Sequence, residues 1–409
     1  MTDQAIVSWA FQVMVKPRGA ICNLGCEYCY YLPKEELYPG SNFRMSKVLL
    51  EKFTRQYLDA HLSREVTFMW QGGEPTLMGL DFFRLAVEYQ RRHRRPGQCI
   101  QNALQCNGTI LNDEWCSFFK ENDFLIGISL DGPPELHNQC RKDKGGKPTF
   151  DRVMHGLRVL KKHQVDVNVL ACISAANVSH PLEVYHYLRD QVGARFIQFI
   201  PIVERTGKDN GRQEAAPTRH SIIGEQYGRF LNAVFDAWIQ RDVGQVYVQI
   251  FDTALTHWLG LPGGLCAFAE KCGQALVLEH NGDLYSCDHF VEPGHRLGNI
   301  TVTSLASLVG SEQQRRFAAH KRESLPSCCE ECRVLFACNG GCPKDRIARP
   351  AQGEPGLNHL CAGYRAFFTH VDYPMRIMAS LIRQGRAPSE VMHIMAASSP
   401  ARQAMGAMV

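Results

Sequence analysis

The sequence predicts an open α/β barrel of six strand–helix units followed by a smaller, cysteine-rich domain. Three observations carry this. Between residues 10 and 200, apolar strand patterns alternate six times with amphipathic helix patterns. A tight group of cysteines follows the first strand, and from Leu261 onward the texture turns Gly- and Cys-rich with little periodicity. Strict strand–helix alternation implies a parallel sheet with right-handed crossovers. Six units fall short of a closed eight-unit barrel, whose chemistry sits on loops at the C-terminal ends of the strands.

The elements follow in order. Ala10–Val15 reads as a short apolar strand that delivers the chain into the cysteine loop. Ser46 can N-cap a helix whose apolar face runs Leu49, Phe53, Tyr57 and Leu58 at helical spacing. Strand Val66–Trp70, helix Asp81–His93, strand Ile100–Gln105, helix Asp113–Glu121 and strand Phe124–Leu130 come next. A polar, Gly-rich loop (Lys142–Pro148) precedes helix Asp151–His163, strand Val165–Ile173, helix Leu182–Gln191 and strand Arg195–Ile200. Glu204–Pro217 reads as a linker. Tyr227, Phe230, Leu231, Val234, Phe235 and Trp238 mark one strongly amphipathic helix. Ala275–Glu279 and Leu284–Cys287 flank Asn281-Gly282, a strong hairpin signal. The tail from Met375 is helical in pattern. The expected domains are therefore a barrel over 1–225, a bridging helical segment over 226–260, a cysteine-rich domain over 261–370 and a helical tail over 371–409.

Composition narrows the function classes. At 409 residues the chain suggests two domains, and 45% hydrophobic with 21% charged residues is ordinary for a soluble globular protein. Near-balanced charge, net +4, leaves no basic footprint for nucleic acid. The run Arg91-Arg92-His93-Arg94-Arg95 ends a helix pattern, where cations suit the dipole. Met1-Thr2-Asp3-Gln4 has no basic segment leading an apolar one, so no secretory signal is expected. No apolar run approaches the ~18 residues that span a bilayer. Seventeen cysteines without an export signal argue for metal ligation over disulfides. A cytoplasmic metalloprotein is expected, in a reducing, low-oxygen setting.

Cys22, Cys26 and Cys29, spaced C-x3-C-x2-C, offer three thiolates to one [4Fe–4S] cluster and leave one iron open to a small molecule. The alternative is a structural zinc knuckle, but zinc usually takes four closed ligands, and no fourth Cys or His lies within a turn. Trp70-Gln71-Gly72-Gly73-Glu74-Pro75 follows the second strand, where two glycines let the backbone approach a ligand. Gln105-Cys106-Asn107-Gly108-Thr109 ends the third strand and Ser129-Leu130-Asp131-Gly132-Pro133 the fourth. Cys266, Cys272 and Cys287 bracket the hairpin. Cys329-x2-Cys332-x5-Cys338-x3-Cys342 and a last Cys361 follow. These eight thiolates suffice for two four-cysteine clusters, with four-cysteine zinc sites as the competitor. Cys99, Cys106, Cys116, Cys140 and Cys172 read as small buried thiols, and Cys328 as a spectator outside the spacing.

The triplet with Tyr28 before its last cysteine resembles the radical S-adenosylmethionine (radical SAM) enzymes. The later cysteines resemble the SPASM domain of that class, which carries two auxiliary [4Fe–4S] clusters. The stretches Trp70–Leu77, Gly127–Pro133, Arg141–Phe150, Phe196–Val203, Tyr285–Phe290 and Gly340–Arg346 are similar to the anaerobic sulfatase-maturating enzymes, from Phe11 to Phe368. That resemblance implies a partial (β/α)6 radical SAM barrel with a C-terminal SPASM domain. It also implies S-adenosyl-L-methionine and three [4Fe–4S] clusters as cofactors. Tyr28, Gly73, Glu74, Ser129, Arg141 and Val203 would contact S-adenosyl-L-methionine. For Arg141, a surface charge is an equal reading of the sequence. Cys266, Cys272, Cys287 and Cys342 would hold the first auxiliary cluster, and Cys329, Cys332, Cys338 and Cys361 the second. The implied reaction oxidises a Cys or Ser of a nascent sulfatase polypeptide, in a Cys/Ser-x-Pro/Ala-x-Arg type motif, to Cα-formylglycine. It starts with hydrogen abstraction at Cβ. Asp288 matches the family's proton acceptor, with a hairpin-capping turn residue as the bland alternative and His289 behind it. A flavodoxin or ferredoxin is the implied reductant, with no nucleic acid and no membrane. The rival is a radical SAM/SPASM enzyme that crosslinks or otherwise modifies a ribosomal peptide.

Overall fold

A computed structural model describes residues 10–204, 217–348 and 353–397. The linker read at Glu204–Pro217, the N-terminal four residues and the end of the tail fall largely or wholly outside them. The chain forms two compact units, each discontinuous in sequence.

The first unit takes residues up to Leu130, His137–Asn168 and Lys271–Glu323. Its strands are β1 (Gln12–Lys16), β2 (Glu65–Trp70), β3 (Cys99–Cys106) and β4 (Phe124–Ser129), paired in parallel in that order. Helices α1 (Lys47–Ala60), α2 (Leu80–His93) and α3 (Asp113–Glu121) make the crossovers. Ser46 caps α1 as its sequence suggests, its Oγ accepting from Leu49 N–H at 3.1 Å. Val66, Phe68 and Trp70 of β2 alternate inward, toward helix side chains, with Thr67 and Met69 half-buried on the other face. Phe53 and Tyr57 of α1 stack at 5.2 Å and meet Phe68 edge-on. Each such ring, fully buried, contributes about 1.5–3 kcal/mol. The C-terminal run of α2 is exposed, with Arg92 pairing to Glu51 and Glu88.

Between α4 (Pro134–Cys140) and α5 (Phe150–Lys162) the polar segment is a tight hairpin, with an isolated bridge between Lys142 and Pro148. α4 was not legible in the sequence, because its seven residues, PELHNQC, are too few to show an apolar period.

The cysteine-rich segment contributes to this same unit. The Asn-Gly hairpin forms as expected, with β8 (Ala275–Glu279) antiparallel to β9 (Asp283–Tyr285) and Gly282 at φ +94°. β10 (Arg296–Asn299) pairs with β9. β8 lies parallel to β1 in full register, from Gln12↔Ala275 to Lys16↔Glu279. The first unit's strand order is thus β10-β9-β8-β1-β2-β3-β4. The hairpin extends the barrel sheet at its first strand, next to the cysteine loop. Helices α9 (Leu305–Val309) and α10 (Glu312–Glu323) follow.

The second unit takes Asp131–Leu136, Val169–Glu270 and residues from Ser324 on. Its strands β5 (Val167–Ile173), β6 (Phe196–Pro201) and β7 (Tyr247–Val248) are parallel. The helix expected over Leu182–Gln191 is split into α6 (Pro181–His186) and a π-helical turn over Tyr187–Gln191. α7 (Gly224–Arg241) buries Tyr227, Phe230, Leu231, Val234, Phe235 and Trp238, the expected stripe. α8 (Gln249–Trp258) and the short α11 (Ser327–Glu330) and α12 (Leu335–Cys338) lead to α13 (Cys361–His370) and α14 (Asp372–Arg383). α7 meets α13 through glycine: a Cβ on Gly363 would lie 2.0 Å from the Gly224 carbonyl oxygen. Only glycine permits that approach, which seats Cys361, two residues earlier.

Candidate active site

The cysteine loop leaves β1 and is gripped from two sides. Gly25 N–H donates to the Lys142 carbonyl at 2.9 Å and Glu27 N–H to the Cys140 carbonyl at 3.1 Å. On the other side, Gly73 N–H donates to Gly19 O at 2.8 Å and Glu74 N–H to Ile21 O at 2.9 Å. A Cβ on Gly73 would sit 2.2 Å from Ile21 O. The glycine read as room for a ligand is thus also what lets the β2 turn lie on the entrance to the cysteine loop. Cys22, Cys26 and Cys29 are all half-buried. Burial and the nearby Glu74 charge push the Cys22 thiol up to about 11, and Cys29 adds to the effect. Asn107 Nδ2 reaches Cys22 Sγ at 3.8 Å and Asn23 Oδ1 at 2.8 Å, tying the third strand's end to the loop.

The residues expected to hold S-adenosyl-L-methionine fall as follows. Tyr28 is buried with Arg141 over its ring at 5.6 Å, and Arg141 is 7% exposed. That excludes the surface-charge reading. Glu74 is fully buried, one carboxylate oxygen accepting from Thr76 and the other from Asn107 N–H at 2.8 Å. Burial raises its pKa, against those hydrogen bonds. Its carboxylate is thus engaged within the protein, as are the Gly73 and Glu74 N–H groups with Gly19 O and Ile21 O. Ser129 Oγ accepts from Gln105 Nε2 at 2.9 Å on the half-buried face. Val203 lies in the second unit, its carbonyl accepting from Lys344 Nζ at 2.8 Å.

Asp288 stands beside the same loop. Its carboxylate pairs with Lys16 Nζ at 2.6 Å and accepts from the Tyr30 hydroxyl. Burial opposes its ionisation. The Lys16 and His289 charges, with hydrogen bonds from Lys16 and Tyr30, outweigh that and hold the carboxyl below the usual range. Burial and the Asp288 charge raise the Tyr30 phenol far above its ordinary value, and it also feels Cys29 and Cys287. Tyr30 therefore stays a donor, placed between the first cysteine loop and the hairpin's Cys287. His289 packs against the Tyr30 ring at 5.2 Å.

Lys16 was the main omission from the sequence reading, which ended the first strand at Val15. A lysine closing an apolar strand directly before a cysteine loop is the signal that could have found it. Its cross-strand partner Glu279 accepts from Tyr31 and lies 3.1 Å from His280 Nδ1, whose Nε2 is 2.7 Å from Ser41 Oγ.

The later cysteines divide between the units. In the first, Cys272 N–H donates to Ala318 O, and Gln314 Nε2 bridges the carbonyls of Gly273 and Ser286, so α10 holds the flanks of Cys272 and Cys287 together. In the second, Cys342 feels Cys266, and burial first of all pushes its thiol up to about 12. Cys329, Cys332, Cys338 and Cys361 form one neighbourhood: Cys361 and Cys332 act on Cys329, and all three act on Cys338. Burial pushes Cys329 and Cys338 up to about 12. Metal ligation has to displace those protons. Cys328 also lies within electrostatic reach of Cys329 and Cys361. None of the seventeen cysteines is joined in a disulfide. Among the described residues no three Cys, His, Asp or Glu side chains converge on a single-ion centre. Cys106, Cys116 and Cys140 are buried as expected, but Cys99 is exposed and Cys172 half-buried. Cys99 opens β3 at the sheet's rim, opposite the exposed Glu65.

Comparison with known proteins accounts for this arrangement. Residues 17–188 match the Radical SAM superfamily and 266–333 an iron-sulfur cluster-binding domain, SPASM. The chain is 46% identical over 93% of its length to the serine-type anaerobic sulfatase-maturating enzyme of Bacteroides thetaiotaomicron, covering 94% of that protein. To the cysteine-type enzyme of Clostridium perfringens it is 32% identical, over 88% of this chain and 95% of the other. A solved structure described as native anSMEcpe with bound AdoMet and Cp18Cys peptide superposes with a TM-score of 0.81 at 31% identity, over 91% of this chain and 99% of that one. The fold is the partial (β/α)6 radical SAM barrel with a SPASM domain, and the cofactors are S-adenosyl-L-methionine and [4Fe–4S] clusters. This chain is a radical SAM oxidoreductase and belongs to the anaerobic sulfatase-maturating enzymes, which turn a Cys or Ser residue of a sulfatase polypeptide into Cα-formylglycine.

Proposed function

We propose that the chain oxidises the Cβ of a Cys or Ser in a Cys/Ser-x-Pro/Ala-x-Arg type segment of a sulfatase, with Asp288 taking the proton that the substrate releases. The carrying observation is the Asp288 carboxylate, buried, ionised and next to cluster-ligand candidate Cys287, with Tyr30 linking it to the first cysteine loop. Cys22, Cys26 and Cys29 would hold the [4Fe–4S] cluster, which with S-adenosyl-L-methionine would supply the radical chemistry for hydrogen abstraction at Cβ.

The chain's own groups do the rest. The Gly72-Gly73-Glu74 backbone, Tyr28, Ser129 and Arg141 would bind and orient the cofactor, and the assignment of Val203 rests on the sequence pattern. Arg141 is pre-organised for the cofactor's carboxylate by stacking on Tyr28. Asp288 is the proposed general base, a carboxylate held ionised and so able to accept a proton. Lys16 fixes its oxygen, and the Tyr30 hydroxyl orients the other. Cys329, Cys332, Cys338 and Cys361 would hold one auxiliary cluster, for which their shared neighbourhood is suited. The set Cys266, Cys272, Cys287 and Cys342 for the other rests on the sequence pattern. The auxiliary clusters would supply one-electron acceptor chemistry for the oxidation of the substrate. Residues 261–370 are proposed as the SPASM domain, and a flavodoxin or ferredoxin as reductant. A cytoplasmic location is proposed from a cysteine content suited to metal ligation rather than disulfides. Among the described residues, no helix is long and apolar enough to cross a membrane.

Anaerobic reconstitution, iron counting and turnover with a sulfatase-motif peptide test the reading. About twelve irons, as three clusters imply, and a peptide that loses two hydrogens (Ser) or also exchanges sulfur for oxygen (Cys) are expected. Release of 5′-deoxyadenosine with a crosslinked peptide would overturn it in favour of a peptide-crosslinking enzyme.

A further inference from the structure

Resting on the radical SAM reading, we propose that the Lys142–Pro148 hairpin is the docking surface for the one-electron donor, a small acidic redox protein. The buried parts of the cysteine loop, Leu24 and Tyr28, point into the protein, while Glu27 is exposed. That outward arc is where the hairpin sits: Gly25 and Glu27 bond to its base through the backbone, and Leu24 forms a bridge with Asp143.

The hairpin is built to hold its shape. Asp143 Oδ1 accepts from Gly145 N–H at 3.0 Å and Lys147 N–H at 2.9 Å, and its backbone bonds to Lys147 O and Gly146 N–H. Arg152 pairs with Asp143 Oδ2 at 2.9 Å. Two acidic groups of this surface are already paired, Asp143 with Arg152 and Glu27 with Lys142, each at 2.9 Å. Lys144 and Lys147, both exposed, make no ion pair among the described residues. Two uncompensated cations stand on a stiff arm whose base is hydrogen-bonded to the loop that carries Cys22, Cys26 and Cys29. A cationic rim of this kind steers an acidic partner and sets its rate of encounter.

The step is a simple exchange. The reduced carrier loses one electron and the oxidised [4Fe–4S] group at the cysteine loop gains it, with no bond made or broken.

The test uses the reconstituted full chain and a purified bacterial flavodoxin photoreduced to its hydroquinone, with dithionite as a small reductant. Stopped-flow bleaching of the iron–sulfur absorbance gives the rate. The double variant Lys144→Glu/Lys147→Glu is expected to lose at least about tenfold in second-order rate with flavodoxin at low salt. Its rate with dithionite should stay that of wild type, and added salt should shrink the difference. Lys47→Glu/Lys120→Glu, the same charge change on α1 and α3, should leave both rates unchanged. An unchanged flavodoxin rate in the hairpin variant, an equal loss with dithionite, or an equal loss in the control variant would each overturn the proposal. So would a wild-type protein that dithionite reduces and flavodoxin does not. A protein that dithionite itself fails to bleach would instead mark failure of the radical SAM reading.

Discussion

Replacing Asp288 by Asn changes almost nothing in shape and removes the anion paired with Lys16. The single amide oxygen can still accept from one of the Tyr30 hydroxyl and Lys16 Nζ, which lie on opposite oxygens of the native carboxylate, and the amide NH2 then faces the other donor. What goes is the charge that compensates an ammonium only 2% exposed. Removing one partner of a buried pair costs about 3–5 kcal/mol. The loss of a positioned base costs about 10²–10⁴ in rate. The two effects separate experimentally. Asp288→Asn should bind its iron and release 5′-deoxyadenosine, yet form formylglycine at least about a hundredfold more slowly. Lys16→Met/Asp288→Asn should recover much of the lost thermal stability and none of the product. Chromatography of 5′-deoxyadenosine beside mass spectrometry of the peptide reads both. If nucleoside and product fall together, or if the double variant regains turnover, Asp288 is a structural anion and not the base.

Other expectations follow from single contacts. Gly73→Ala puts a methyl 2.2 Å from Ile21 O, so the cysteine loop must shift; reconstitution should lose about a third of the iron and all nucleoside formation. Arg141→Met removes the buried cation over Tyr28 and should weaken S-adenosyl-L-methionine binding about tenfold or more in calorimetry, with iron content unchanged. Cys338→Ala should also lose about a third of the iron, while 5′-deoxyadenosine formation continues uncoupled from product. Burial raises Asp252 on α8 from 3.8 to about 7. A carboxyl raised in the fold costs stability as pH climbs from its unfolded value through about 7, at most about 4 kcal/mol above that. Asp252→Asn should therefore raise Tm more at pH 8 than at pH 5, and an equal gain at both would contradict it.

The sequence carried the barrel well because its signals are local. Ser46 announces α1, and Val66, Phe68 and Trp70 alternate as a strand covered by helices must. The cysteine spacing and Asn281-Gly282 needed only chemistry and turn geometry to be read. What was not legible depends on distant partners. That β8 lies on β1 follows from no local pattern, yet it sets Lys16 beside Glu279 and brings Asp288 to the first cysteine loop. α10 was missed because it is polar nearly all round, burying only Gln314 and Lys321, and its function is to hold Cys272 and Cys287 through Gln314. The burial of Arg141 on Tyr28 was not legible, since a charge in a polar loop is usually solvated. Cys99 went the other way: a thiol in a strand pattern is usually buried, and this one begins its strand at the rim.

The most direct test of the account follows one hydrogen. A sulfatase-motif peptide with Ser fully deuterated at Cβ is incubated anaerobically with the reconstituted protein, S-adenosyl-L-methionine and dithionite. The account requires deuterium in the released 5′-deoxyadenosine and an aldehyde that keeps the second deuterium at the same carbon of the peptide. Nucleoside free of deuterium, or labelled nucleoside beside a peptide with no aldehyde, would contradict it.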